Sequence, residues 1–230
     1  MEKNVAFIPV RGGSKSIPLK NIKVMAGKPL VYWTIESAVN CKYIDKVYVS
    51  TDSDKIIEVV KSYEGINKEK IEIVLRSNAT ASDKASTESA MLEFAKKYDF
   101  ENIVLIQATS PLLSSKDLDK GFEKYENYDS IISLVEQKRF RWKVEGGCVK
   151  SINYDYMNRP RRQEFEGDLV ENGAFYITSK ENLLKYENRL AGKIGYVVMP
   201  EDTYFEIDEP SDWIIVESLL KNRISKEGKW

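Results

Sequence analysis

Short apolar runs alternate along this chain with longer stretches whose apolar residues return every three or four positions. Val5, Ala6, Phe7, Ile8 and Pro9 carry no charge and read as a strand buried on both faces. After a Gly27-Lys28-Pro29 turn, Leu30, Trp33, Thr34, Ala38 and Val39 fall on one face of a helix. Positions 46–50 form a second strand, and Thr51-Asp52-Ser53-Asp54 supplies a cap for a helix starting near Lys55. A strand at 71–75, a helix at 87–97, a strand at 102–106, a helix at 115–125 and a strand at 130–135 continue the series. Such alternation predicts an α/β architecture, with a mostly parallel sheet and right-handed crossovers.

From Gln137 the pattern breaks. Lys138-Arg139-Phe140-Arg141-Trp142-Lys143 alternates charge with aromatic rings, and Gly146-Gly147 reads as a hairpin turn, which leaves Phe140 and Trp142 free for a subunit contact. Strands resume at 173–177 and 195–199. A last helix is expected over 210–220, before a charged tail, 221–230, that is expected to fray. At 230 residues the chain suits a single domain, 1–230, with an excursion at about 137–170.

Charge narrows the chemistry. A formal net charge of −1 argues against a general binder of nucleic acid or membrane surfaces, so a basic site must be local and aimed at a small anion. The basic stretches 138–143 and 159–162 admit three readings: a nucleic-acid contact, for which they are short; a solvated face; or a receiver for a carboxylated or phosphorylated small molecule. Two cysteines, Cys41 and Cys148, read as free thiols in a reducing compartment. With no signal-peptide pattern and no apolar run of membrane-spanning length, a cytoplasmic protein is expected. Histidine is absent, which excludes Ser-His-Asp and Cys-His machinery and leaves carboxylates, cations, hydroxyls, backbone amides and oxygen-bound metals.

The loop after the first strand has the chemistry to hold phosphate. Gly12 and Gly13 allow close backbone approach, and Arg11, Lys15 and Lys20 add positive charge at the carboxyl end of a strand, where open α/β sheets place ligands. The spacing fits neither the P-loop nor the three-glycine dinucleotide fingerprint, and a glycine-rich turn with solvated lysines is the plain alternative. Arg76 and Gln107 sit at comparable strand ends. Glu206 and Asp208, two apart, project from one face of an extended segment and suit Mg²⁺; the alternative is that this acidic stretch only starts the last helix.

Taken with their order, these residues resemble those of the CMP-sialic acid synthetases, also called acylneuraminate cytidylyltransferases. The motifs are Arg11-Gly12-Gly13-Ser14-Lys15 through Lys20-Asn21, Val49-Ser50-Thr51-Asp52, Arg76 with Ser82-Asp83, Gln107-Ala108-Thr109-Ser110-Pro111, Asn172-Gly173-Ala174-Phe175-Tyr176 and Ile207-Asp208. Phe140-Arg141-Trp142 and Arg159-Pro160-Arg161-Arg162-Gln163 look most like the animal-type branch, without the C-terminal phosphatase-like domain of some members.

The resemblance implies a Rossmann-like nucleotidyltransferase fold and a homodimer that exchanges its excursions. It implies that Arg11, Gly12, Ser14, Lys15, Lys20, Asn21, Arg76 and Ser82 bind CTP, and that Arg11, Lys20 and Asp208 act in catalysis. It gives Gln107, Tyr176 and the partner's Lys143, Arg161 and Gln163 to a nonulosonic acid, N-acetylneuraminate or KDN. Asp208 would hold Mg²⁺, with Glu206 where the family usually has aspartate. An aromatic pair used by some bacterial members against the acyl group falls on Arg189 and Leu190, so that contact does not carry over. The rival readings are a nucleotidyltransferase for another sugar, such as legionaminate, pseudaminate or the eight-carbon lipopolysaccharide acid, and a CTP-binding sensor without turnover.

Overall fold

In the computed structural model, which describes residues 2–227, the first strand becomes an interior strand of the main sheet. β1 (Glu2–Pro9) buries Val5, Ala6, Phe7 and Ile8 completely, as a strand covered on both faces must. A two-rung hairpin, β2 (Val24–Met25) and β3 (Lys28–Pro29), leads into α1 (Leu30–Val39). There follow β4 (Lys46–Thr51), α2 (Asp54–Lys61), β5 (Ile71–Leu75), the short α3 (Asn78–Ala81) and α4 (Thr87–Lys97). Next come β6 (Phe100–Ile106), α5 (Ser115–Tyr125) and β7 (Ser130–Gln137), then the outlying β8 (Trp142–Glu145) and β9 (Cys148–Ser151). β10 (Asp168–Ser179), α6 (Lys180–Tyr186), β11 (Ile194–Met199) and α7 (Pro210–Glu227) complete the chain.

The main sheet has seven strands in the order β11-β7-β10-β6-β1-β4-β5. All neighbours pair in parallel except β10, which runs antiparallel to both β6 and β7. The mostly parallel sheet expected from the alternation is therefore present, with one reversed strand that apolar content did not reveal. Reversal brings the first half of β10, including Glu171, Asn172 and Gly173, to the rim formed by the carboxyl ends of the other strands.

Alternate residues of β1 feed two cores. Ala6 and Ile8 face α1, α2 and α5, while Val5 and Phe7 face α4 and α6. A third cluster joins Ile17, Met25, Leu30, Leu112 and Ile207 to Trp213, Val216 and Leu220 of α7. It seats the first loop and the acidic segment on the same small apolar base.

Three expectations need correction. The tail from Lys221 does not fray over its described part: helix α7 continues to Glu227, because Arg223 donates to both oxygens of Asp202 (3.0 and 2.6 Å) and to the carbonyl of Leu112 (2.7 Å). Residues 228–230 of that tail lie outside the described chain. The 51–54 stretch precedes α2, but no side chain caps it; Asp52 is instead engaged by the first loop. Phe140 is not free on the hairpin: its ring packs on Tyr154 (4.3 Å) and Phe165 (4.8 Å), under the Arg159 guanidinium. Trp142 does stay 45% exposed. The β8–β9 hairpin closes on Gly146 and Gly147, both at positive φ (59° and 83°), and its strands pair only with each other.

Candidate active site

The order of strands turns back between β1 and β6, so the loops leaving these neighbours open side by side at the rim. In the first loop, Gly12 N donates to Asp52 Oδ1 (2.9 Å), and a Cβ on Gly12 would stand 2.8 Å from that of Ser53. Close packing against the start of α2 therefore demands glycine there; Gly13 has open space around it. Buried Asn21 staples the loop by donating to the Arg11 carbonyl (3.3 Å).

The cleft at this rim, about 300 Å³, is lined by Arg11, Ser14, Lys20, Asn21, Arg76 and Gln107, with Asp83 and Thr87 on its far wall. Six of the residues assigned from sequence thus meet in one place. Gly12, Lys15 and Ser82 stand at its margin: Lys15 Nζ pairs with Asp83 Oδ2 (2.7 Å), and the Ser82 carbonyl accepts from Arg11 Nη1 (3.3 Å). Arg76 donates through Nη2 to the Thr80 carbonyl, while its Nε is buried with no partner. Burial lowers the proton affinity of this guanidinium; nearby Arg11 lowers it further, and Asp52 opposes both. The result is a partly buried cation with a buried donor to spare.

Lys20 carries the loop across to the acidic segment. Its side chain is only 13% exposed, and Nζ donates to the Ile207 carbonyl (2.5 Å) and lies 3.6 Å from Asp208 Oδ1. Ile207 points into the core and donates its amide to the Thr109 carbonyl (3.2 Å), so Glu206 and Asp208 turn the other way. Asp212 Oδ2 accepts from the amides of Asp208 (3.0 Å) and Glu209 (2.8 Å), fixing the turn into α7. The acids therefore stand at the turn into the last helix, with Asp208 beside Lys20, whose own side chain lines the cleft.

Burial, then the negative charges of Asp208 and Glu171, push the Glu206 carboxyl up to about 7, with Lys20 opposing. Gly173, at φ +64°, makes room for that carboxyl, which a Cβ there would strike. Beside it Tyr176 donates to Glu171 Oε1, and burial first, then Glu171, raises the phenol well above its ordinary value. The Arg189 guanidinium stacks on the Tyr176 ring at 4.8 Å and pairs with Glu88 (2.5 Å).

The structure does not bring Lys143, Arg161 and Gln163 to this cleft. All three are exposed on the excursion: Lys143 pairs with Glu145 (3.3 Å), and the Arg161 backbone closes a turn with Glu164 and Phe165. Sequence reasoning missed Asp83, Glu171 and the Glu88–Arg189 pair. Asp83 stands beside Ser82 in a motif and Glu171 beside Asn172-Gly173, but nothing local announces that the first will pair with Arg11 and Lys15 or the second accept from Tyr176. Among the described residues no group of three or more acidic or cysteine side chains is arranged to hold a metal, so any cation here must rely on the two carboxylates and its other ligands.

A family model described as cytidylyltransferase matches residues 5–225. The N-acylneuraminate cytidylyltransferase of Oncorhynchus mykiss is 38% identical over 219 residues, covering 92% of this chain and 49% of that protein. The N-acylneuraminate cytidylyltransferase A of Danio rerio is 39% identical with the same coverage. The chain thus spans about half the length of these relatives. Among solved structures, a CMP:2-keto-3-deoxy-manno-octonic acid synthetase complexed with CTP superposes with a TM-score of 0.69 at 17% identity, over 96% of this chain and 100% of that one. A 4-diphosphocytidyl-2C-methyl-D-erythritol synthase from Anaerococcus prevotii gives 0.70 at 15% identity, over 96% of each chain. Both share the fold.

Proposed function

Because the chain belongs to the cytidylyltransferase family, we propose that its cleft binds CTP and transfers CMP to a nonulosonic acid, N-acetylneuraminate or KDN, releasing pyrophosphate. One observation carries this reading: Arg11, Lys20 and Arg76 line a single cleft, and the Lys20 ammonium lies 3.6 Å from Asp208 of the acidic segment beside it. A triphosphate needs that cationic wall, and the acids suit the hydroxyl that must attack it.

The anomeric hydroxyl oxygen attacks the α-phosphorus, the bond from that phosphorus to the α–β bridging oxygen breaks, and pyrophosphate leaves with the electron pair. Arg11 and Lys20 stabilise charge on the phosphates, Ser14, Asn21 and Ser82 orient the nucleotide, and Asp208, 74% exposed at the rim, accepts the hydroxyl proton. Glu206 and Asp208 fit Mg²⁺ in ligand type: both offer hard oxygens, and although burial is the main cause of the upward push on Glu206, the neighbouring negative charges of Asp208 and Glu171 add to it in a way a cation would relieve. Bound there, Mg²⁺ would neutralise triphosphate charge. Gln107 and Tyr176 take the sugar side.

The remaining sugar contacts, Lys143, Arg161 and Gln163, come in this reading from a second copy. Supporting that are the β8–β9 strands, exposed but for Ser151, with Val144 at 78%, the following turn with Met157 at 79%, and the open face of β11 at Ile194, Tyr196 and Val198. A cytosolic setting suits unpaired Cys41 and Cys148. Pyrophosphate release from CTP with N-acetylneuraminate, KDN, legionaminate, pseudaminate and the eight-carbon acid tests the proposal. Release with either of the first two is expected. Release only with one of the others moves the substrate assignment, and CTP binding without release for any sugar makes the protein a sensor.

A further inference from the structure

Asp83 has no part in the chemistry just described, yet it is the most heavily engaged acid in the cleft. Its two oxygens are divided between two cations: Oδ1 lies 3.1 Å from Arg11 Nη1 and Oδ2 lies 2.7 Å from Lys15 Nζ. Arg11 Nη1 also donates to the adjacent Ser82 carbonyl (3.3 Å), so residues 82 and 83 together occupy the loop's guanidinium. The pair of contacts, the Lys15 hydrogen bond foremost, holds the Asp83 carboxyl below its ordinary range.

A carboxylate bridging an arginine and a lysine offers the same two oxygens, with the same sign of charge, that a phosphate group would offer. The contacts are easily exchanged: the Asp83 side chain is 47% exposed and that of Lys15 75%, and exposed ion pairs contribute little. Nearby Arg76 keeps a buried donor without a partner, so the cations of the cleft are not fully served by this one acid. Asp83 itself lines the cleft, on the stretch between α3 and α4 that has no strand or long helix to hold it.

Resting on the nucleotide reading, we propose that Asp83 is an internal stand-in for phosphate: it holds the Arg11–Lys15 position that a phosphate would take and is expelled, with its segment, when the triphosphate enters. No bond is made or broken in this step. One set of ion pairs replaces another, and the protein keeps its cationic loop ordered and discharged between turnovers. Compounds with fewer phosphates, which do not reach Lys15, leave Asp83 in place.

Calorimetric titration of the full chain and its Asp83→Asn variant with CTP, CMP and inorganic tripolyphosphate tests this. Asp83→Asn is expected to bind CTP and tripolyphosphate about three- to tenfold more tightly, the worth of two exposed ion pairs, with CMP unchanged. Asp83→Glu, which keeps the charge, is expected to stay near the parent. Weaker or unchanged CTP binding in a variant that melts like the parent would make Asp83 an organiser of the loop and overturn the proposal. Tighter tripolyphosphate binding without any CTP binding would preserve the stand-in and remove the nucleotide reading; no binding of either anion to any form overturns both.

Discussion

The cleft rim and the 138–166 excursion are both rich in cations, yet they are built in opposite ways. At the rim almost every charged group is answered inside the chain: Lys20 by Ile207 and Asp208, Arg11 and Lys15 by Asp83, and Asp52 by the Gly12 amide. Glu93 on α4 accepts from Ser77 (2.9 Å) and Thr80 (2.6 Å), bracing the turn whose Thr80 carbonyl holds Arg76. On the excursion the strands pair only with each other, every residue of β8 and nearly all of β9 is exposed, and Trp142, Tyr156 and Met157 face outward. A rim closed by its own bonds can be preorganised for an anion, which is what electrostatic stabilisation requires. An arm with its apolar side chains in water offers the surface that the proposed second copy would cover.

The largest effect that would sharpen this contrast is expected from Lys20→Met. Removing the ammonium should lower kcat/KM for CTP by about 10²- to 10³-fold, the usual worth of one transition-state donor, with little change in melting temperature. A loss under tenfold would break the link between Lys20 and the phosphates.

Glu93 tests the rim's bracing. Burial raises its carboxyl, but hydrogen bonds from Lys97, Thr80 and Ser77 outweigh that and hold it down to about 2. With a folded value below the ordinary 4.5, its stabilisation is fully present above about pH 4.5 and disappears as pH falls towards 2. Glu93→Gln should therefore cost roughly 2–3 kcal/mol at pH 7 and flatten the acid limb of stability, measured by urea melts from pH 7 to 3. An unaltered acid limb would show that the turn holding Arg76 is braced by something else.

Gly173→Ala forces a side chain into positive φ and against Glu206. A loss of about 1–3 kcal/mol in thermal unfolding is expected, together with weaker activity because the displaced carboxyl is the one the proposed reading gives to Mg²⁺. An unchanged melt would mean the carboxyl relaxes freely and the rim is looser than its hydrogen bonds suggest.

The smallest single effect is expected on the excursion. Arg161→Ala should raise KM for the sugar about tenfold and leave CTP binding untouched. Assayed with the sugar well below its KM, mixing it with Lys20→Met should raise activity to about a quarter of the parental value, since half of randomly formed dimers carry one intact composite site. No recovery on mixing, with dimers formed, would sink the shared site.

Most strands and helices were legible because burial on one or two faces leaves a periodic trace in the residues themselves. The 71–75 strand and the 87–97 and 115–125 helices need no distant partner to be read. The glycine-and-cation loop was equally local, and its chemistry survives intact in the cleft. By contrast, the direction of β10 depends on which neighbours it pairs with, and both directions have the same apolar pattern. The helical run past Lys221 depends on Asp202 and the Leu112 carbonyl, the inward turn of Phe140 on Tyr154 and Phe165, and the pairing of Asp83 on a loop 70 residues earlier in the chain. The residues alone thus determined the alternating α/β plan, a local glycine-and-cation loop and an acid pair with one orientation. Only the folded chain decided that Lys20 of that loop meets the acidic segment at Ile207 and Asp208, because Coulomb and hydrogen-bond interactions act over a few ångströms of space and leave no periodic mark along the sequence.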